Sequence, residues 1–235
     1  MSIDRRRHYV LLLDTETANT ITDQKGRLDM TSVLVYDCGW CVMDTRGNIY
    51  KEQSFVNRDI FFGESELMKS AYYAEKILQY LEDIRRGIRQ VANTYQIRQA
   101  MLADMAEYGI TEVVAHNARF DLNALNLLQR WTTKSKYRYW FPYGTDIWDT
   151  LKMARDVILK MPTYKKFCEQ YGFLTKTGKL SATAENLYRF ITKDPTFQEE
   201  HKGLDDVRIE REIMIYCYRQ KKKMRKKLFE NQKTA

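Results

Sequence analysis

Only three prolines occur in 235 residues, and no Pro/Gly/Ser-rich or low-complexity stretch is present, which argues against a flexible string of small modules. Long apolar runs are missing as well. The longest, such as Tyr9 to Leu13, fall far below the ~20 residues a membrane-spanning helix needs. Met1 to Arg7 is charged and leads into no signal-type apolar stretch, so a non-secreted, cytoplasmic protein is expected. Cysteine is scarce: of four, only Cys38 and Cys41 have a Cys-x-x-Cys spacing, and no second pair follows. Both fall in a predicted strand, where residues three apart face opposite sides, so a zinc site is not expected and reduced thiols fit better than disulfides.

What is present is an ordinary globular composition, 44% hydrophobic, able to bury a sizeable core. Its net charge of +8 is uneven, because residues 219 to 235 carry eight Lys/Arg against one Glu. That basic tail (Arg219, Lys221, Lys222, Lys223, Arg225, Lys226, Lys227) has two readings: an attractor for phosphate backbones, or a solvated extension of the last helix.

The run Tyr9 to Leu13 reads as a strand buried on both faces that ends at Asp14, with 15 to 30 polar and irregular. Thr31 to Met43 and Ile49 to Val56 are β-rich and flank a hairpin signal, Asp44-Thr45-Arg46-Gly47-Asn48. From Glu64 to Tyr108 the apolar spacing is helical, closing at Gly109. A strand is expected at Glu112 to Ala115, a helix at Arg119 to Trp131 and a strand at Thr145 to Trp148. Helices follow at about 149–160, 163–171, 183–192 and 203–222. The fold class is therefore α/β: a mixed five-stranded sheet, with a three-strand antiparallel meander plus two parallel strands, flanked by helices. One domain over 1–218, with a helical excursion at 59–108 and the tail at 219–235, is the expected organisation.

Three short stretches carry chemistry. Asp14 and Glu16 are two apart in extended backbone, so both side chains project to one face and can share a cation. Asp121 lies about one turn into the helix after strand 112–115, and Asn117 is placed either as that helix's N-cap or against substrate. His116, at the strand exit, reads as structural before it reads as ligand or base. His201 precedes a helix that carries Asp205 and Asp206, of which Asp205 reads as an N-terminal helix acid, with an exchange of roles between the two as the alternative. Oxygen ligands from Asp14, Glu16 and Asp206 suit Mg²⁺ or Mn²⁺, and His201, titrating near neutrality, can take a proton from water. Two such cations would neutralise a phosphodiester transition state and supply hydroxide.

In this order the three stretches resemble the motifs of the DEDDh exonucleases of the ribonuclease-H-like superfamily, which includes proofreading subunits of bacterial replicative polymerases. Asp14-Thr15-Glu16-Thr17 looks like the first motif, Val114 to Asp121 resembles the second, and His201 with Asp206 reproduces the His-x-x-x-x-Asp of the third. The resemblance spans nearly the whole chain. It implies a ribonuclease-H-like fold and 3′-to-5′ release of nucleoside monophosphates. It also implies that Asp14 touches both metals, Glu16 and Asp206 hold the first, Asp121 supports the second partly through water, and His201 is the general base. Thr17, Ala18 and Asn117 are expected against the substrate, with the backbone around Asn19.

The stretch Ala182 to Phe190 resembles what bacteriophage-encoded members carry, which suggests a phage or mobile-element origin. Where members often show Thr-Gly and Ala, this chain has Ala18-Asn19 and Gly203, positions expected near the terminal sugar. Asp149-Thr150-Leu151 resembles a further family element without being read as catalytic. Lys134, Lys136, Tyr137, Arg138, Tyr139, Trp140, Phe141 and Tyr143 interleave cations with rings, either as a stacking surface for bases or as core aromatics in an amphipathic loop. The expected partner is a nucleic acid with a free 3′ end, DNA before RNA, with association to a polymerase or replication machinery. The rivals are an RNA-trimming enzyme of the same superfamily and a non-catalytic nucleic-acid-binding scaffold.

Overall fold

Two antiparallel strands are joined where Asp44 accepts the backbone N–H groups of Arg46 and Asn48 at 2.9 and 3.0 Å. That closes the hairpin between β2 (Leu34–Asp44) and β3 (Ile49–Asn57), as the turn residues predict. The computed structural model describes residues 3–18, 33–69, 71 and 74–229, so Asn19, and with it the expected backbone contact there, lies outside them. The other strands are β1 (Tyr9–Ala18), β4 (Gln90–Ala92), β5 (Glu112–Ala115) and β6 (Asp146–Asp149).

Among the described residues the sheet has six strands, ordered β4-β3-β2-β1-β5-β6, rather than five. β1, β2 and β3 form the antiparallel meander, while β5 joins β1, β6 joins β5 and β4 joins β3 in parallel. The extra strand falls inside the segment expected to be helical. Helices α1 (Arg58–Phe61), α2 (Ser65–Lys69) and α3 (Ile77–Arg85) end before Gly87, and α4 (Thr94–Tyr108) starts afresh. Asn93 accepts from Gln96 N and the Gln96 side chain accepts from Asn93 N, a capping box that fixes the new start.

β1 also runs past the expected stop at Asp14, pairing with β2 as far as Ala18 opposite Leu34, with a register shift after Glu16. Its apolar run is two-faced. Leu11 and Leu13 enter one core and Val10 and Leu12 the other, each fully buried aliphatic side chain contributing about 1.5–3 kcal/mol. Cys38 and Cys41 divide between the same two cores, as strand alternation requires. The first core is covered by α4 and α5 (Arg119–Thr133) through Ile97, Met101, Leu125 and Leu128. The second is covered by α6 (Thr150–Asp156), α7 (Pro162–Tyr171), α8 (Ala184–Thr192) and α9 (Gly203–Arg219), through Met153, Tyr164, Leu187 and Ile213.

The chain after α9 is not a solvated extension of that helix as far as it is described. Leu228 N donates to Ile147 O at 2.7 Å and Asp149 N to Lys226 O at 2.8 Å, so residues 226–228 lie along β6. Arg225 pairs with Asp156 at 2.8 Å and Leu228 is buried. An apolar anchor and a free sheet edge explain the docking. No helix among the described residues is long and apolar enough to cross a membrane.

Candidate active site

The sheet places three chain segments around one cleft of about 240 Å³. β1 supplies Asp14, Thr15 and Glu16; the β5–α5 turn and first turn of α5 supply His116, Asn117, Phe120 and Asp121; and the approach to α9 supplies Glu199 and His201 and α9 itself Asp206 and Glu210. Ligand atoms of Glu16, His201 and Asp206 lie within 4.8 Å of one another. Asp121 is tied to β1 by Thr15, whose hydroxyl donates to Asp121 Oδ1 at 2.8 Å.

Two residues expected against the substrate, Thr17 and Ala18, stand elsewhere, and Asn117 stands at the cleft without capping the helix. Ala18 is buried in the core and Thr17 is buried beside it; neither lines the cleft, because β1 continues through both, paired with β2 after the register shift that follows Glu16. Asn117 lines the cleft but is not the N-cap of α5, a place taken by Ala118. It has a left-handed backbone, φ 60°, and its N–H donates to Asp149 Oδ1 at 3.1 Å. Asp149 thus clamps the turn from the end of β6 while also accepting from Leu151 N at the start of α6. Gly203 packs against Gly39 backbone to backbone, so its small size answers to helix–sheet packing.

His116 is structural, as its sequence position suggests. Nε2 is 2.9 Å from Ala182 O and Nδ1 is 2.9 Å from the Thr150 hydroxyl. A carbonyl only accepts, so Nε2 carries the hydrogen, and burial lowers the ring's pKa in keeping with a neutral imidazole.

The start of α9 is held by residues that sequence reasoning passed over. Lys202 at the N-cap makes no side-chain cap; instead the Asp37 carboxylate of β2 accepts from Gly203 N at 3.0 Å. Asp37 also accepts from Arg89 at 2.7 Å and Tyr80 at 2.7 Å, and Lys202 pairs with Asp83 at 3.1 Å. The segment between α1 and α4 therefore fixes the turn that carries His201 and Asp206. From the other side, Glu185 of α8 accepts from Glu199 N at 3.1 Å, and Arg189 donates to Phe197 O at 2.7 Å. That is the work of the 182–190 stretch.

The carboxylates crowd one another. Burial, then the charges of Asp121 and Asp206, hold Asp14 well above its ordinary pKa, and burial with Asp14 and Asp37 does the same to Glu16. Burial raises Asp121 to about 7 against the opposing hydrogen bond from Thr15, and raises Asp206 to about 9 with help from Glu199 and Glu16. Glu199 reaches about 7 through burial and then Glu185. Among the described residues, Asp206 Oδ1 and Glu210 Oε2 are the buried carboxylate oxygens with no hydrogen-bond partner. Leaving such oxygens unpaired is costly, and a hard cation satisfies them. The donor set, all oxygens apart from one imidazole, fits Mg²⁺ or Mn²⁺.

Glu199 and Glu210 were not singled out from the sequence. Glu210 had a readable signal, since it follows Asp206 by four residues and so shares its helix face. Of the ring-and-cation loop, Trp140 and Phe141 are core, whereas Tyr137, Tyr139 and Tyr143 are exposed. Tyr139 and Tyr143 line a separate cavity of about 500 Å³ with Arg130.

The six-stranded mixed sheet with its flanking helices is the ribonuclease-H-like fold. That architecture is shared with solved exonucleases, one of them described as a DEDDh family member. The chain is similar to the zinc-bound exonuclease I–single-stranded DNA complex of E. coli, with TM-score 0.54 and 13% identity over 92% of this chain and 42% of that one. It is similar to a moderately thermophilic exonuclease I from Methylocaldum szegediense, with TM-score 0.57 and 17% identity over 92% and 41%. The nuclease domain of 3′hExo, a DEDDh family member bound to rAMP, is matched with TM-score 0.53 and 12% identity over 94% of this chain and 96% of that one. The chain thus spans about two fifths of the exonuclease I chains and nearly all of the 3′hExo domain. No protein-family model matches the sequence, and no curated protein matches it.

Proposed function

We propose that the protein is a metal-dependent 3′-to-5′ exonuclease that releases nucleoside monophosphates from single-stranded or frayed DNA ends. The observation that carries this reading is the convergence of Asp14, Glu16, Asp121, His201 and Asp206 on one cleft with buried carboxylate oxygens left unpaired. Glu16, Asp206 and Asp14 would hold one cation, Asp14 and Asp121 a second. Two divalent cations held there would supply neutralisation of charge at the scissile phosphate and a water of lowered pKa. His201 accepts the water's proton at Nε2, with Nδ1 turned towards Glu199 Oε2 at 3.8 Å. Burial, then the charge of Lys76, lowers the His201 pKa, which keeps the ring neutral and ready to accept at physiological pH. Asn117, which lines the cleft at the turn before α5, would contact the terminal nucleotide.

DNA is favoured by the solved exonuclease I complexes, which hold single-stranded DNA or oligonucleotides. The second reading, RNA trimming, is favoured by the rAMP held by 3′hExo. The test is incubation of 5′-labelled single-stranded DNA and RNA with Mg²⁺, Mn²⁺ or EDTA. Stepwise shortening of DNA from the 3′ end with metal supports the reading. Shortening of RNA alone moves it to the rival, and a mobility shift without shortening in any metal replaces it with a scaffold.

A further inference from the structure

Glu210 occupies a place that the proposed chemistry does not use. It lies one helical turn beyond Asp206 on α9, is 2% exposed, and lines the cleft with Asp14, Asp121 and Asp206. Its Oε2 has no hydrogen-bond partner. Buried carboxylates away from the cleft are provided for: Asp37 by Arg89 and Tyr80, Asp104 by Trp40 and Lys51, Asp149 by two backbone N–H groups; Glu210 takes a backbone hydrogen bond from His116 and still keeps Oε2 unpaired, as Asp206 keeps Oδ1. After burial itself, Asp14 and Asp121 act most strongly on Glu210. In the proposed division of ligands those two acids serve the second cation, which has fewer protein ligands than the first. A buried acid with an unpaired oxygen, facing the less fully held of two cations, is what a further ligand looks like before loading.

We propose that Glu210 is a fifth carboxylate of the cation site, directed to the cation shared by Asp14 and Asp121. The inference rests on the metal-dependent reading of the cleft and deepens it. A purely structural role predicts unchanged metal uptake, because a neutral buried acid packs equally well as its amide. In the metal-free protein Glu210 is a burden among like charges, and its removal relieves them; in the loaded protein it is a ligand, and its removal weakens binding.

The test is isothermal titration of Mn²⁺ into metal-free wild type, Glu210→Gln, Glu210→Asp and the surface control Glu212→Gln, with melting temperatures in EDTA and in MnCl₂. Wild type and Glu212→Gln are expected to take up two Mn²⁺ alike. Glu210→Gln is expected to weaken one of the two steps by about 10- to 100-fold, the usual scale for a lost supporting ligand. It should also melt higher in EDTA while gaining less from manganese. Should the amide variant not fold, Glu210→Asp reads the same step, with a smaller loss. Wild-type affinity at both steps in the variants overturns the role of Glu210 and leaves the nuclease reading standing. Absence of Mn²⁺ uptake by the wild type overturns the metal-dependent reading itself.

Discussion

Gly39 and Gly203 meet backbone to backbone: a Cβ on Gly203 would lie 2.8 Å from Gly39 N, and a Cβ on Gly39 only 2.2 Å from Leu204 N. Gly39 is also the residue paired with Asp14 across β1 and β2. One close approach therefore sets how near the first turn of α9, with Asp206, comes to Asp14. Gly39→Ala is expected to destabilise the fold by at least about 1–3 kcal/mol through overpacking and to cost most of the nuclease activity. Chemical denaturation and turnover of labelled oligonucleotide measure both. Gly203→Ala, with a looser predicted clash, should do less of each, and the reverse order would refute the packing account.

Asp37 and Arg89 are both buried and paired at 2.7 Å. Arg89→Met leaves Asp37 without its cation, and breaking one side of a buried pair costs about 3–5 kcal/mol. Because Asp37 also caps α9, the variant should lose affinity for Mn²⁺ as well as stability. Calorimetric binding beside a denaturation curve checks this, and unaltered Mn²⁺ affinity would uncouple the network from the site.

The metal-free protein should lose stability as pH rises. Asp121 and Glu199 hold protons up to about 7 and Asp206 up to about 9 when folded, whereas an unfolded carboxylate releases its proton near pH 4. Between those limits the folded state binds more protons, so stability falls by about 1.4 kcal/mol per pH unit for each proton retained. Melting temperatures in EDTA should drop from about pH 5 to about pH 9, and Mg²⁺ or Mn²⁺ should restore them most at the alkaline end. A metal-free melting temperature that climbs over this window would contradict the crowding of acids.

His201→Ala is expected to slow hydrolysis by about 10²- to 10⁴-fold while Mn²⁺ uptake persists. In the wild type the acidic limb of the rate profile should lie below the ordinary histidine value, in line with the lowered His201 pKa. Lys76→Met should move that limb upward by removing a nearby positive charge. A profile indifferent to both substitutions would assign the proton to another group.

The three motif stretches, each weak alone, were legible through their order and their places at element boundaries: strand alternation pairs Asp14 with Glu16 and the offset sets His201 beside the first turn of its helix, while the role of Asp121 came from the family resemblance. The meander, too, was written in the hairpin residues around Gly47. β4 was not, because three residues cannot declare a period, although Gly87 and the Asn93–Gln96 box mark its edges. The burial of Thr17 and Ala18 depended on a register shift that pairing with β2 imposes. The Asp37–Arg89 network joins residues 52 apart in the chain, and Lys202 finds Asp83 from 119 away. Long-range ion pairs of this kind leave no spacing to read.

Anomalous diffraction from Mn²⁺-soaked crystals tests the central claim most directly. The account predicts two manganese peaks in the cleft, one against Glu16 and Asp206 and one against Asp121, with Asp14 between them. Crystals that diffract well and show no anomalous peak near Asp14 would contradict it.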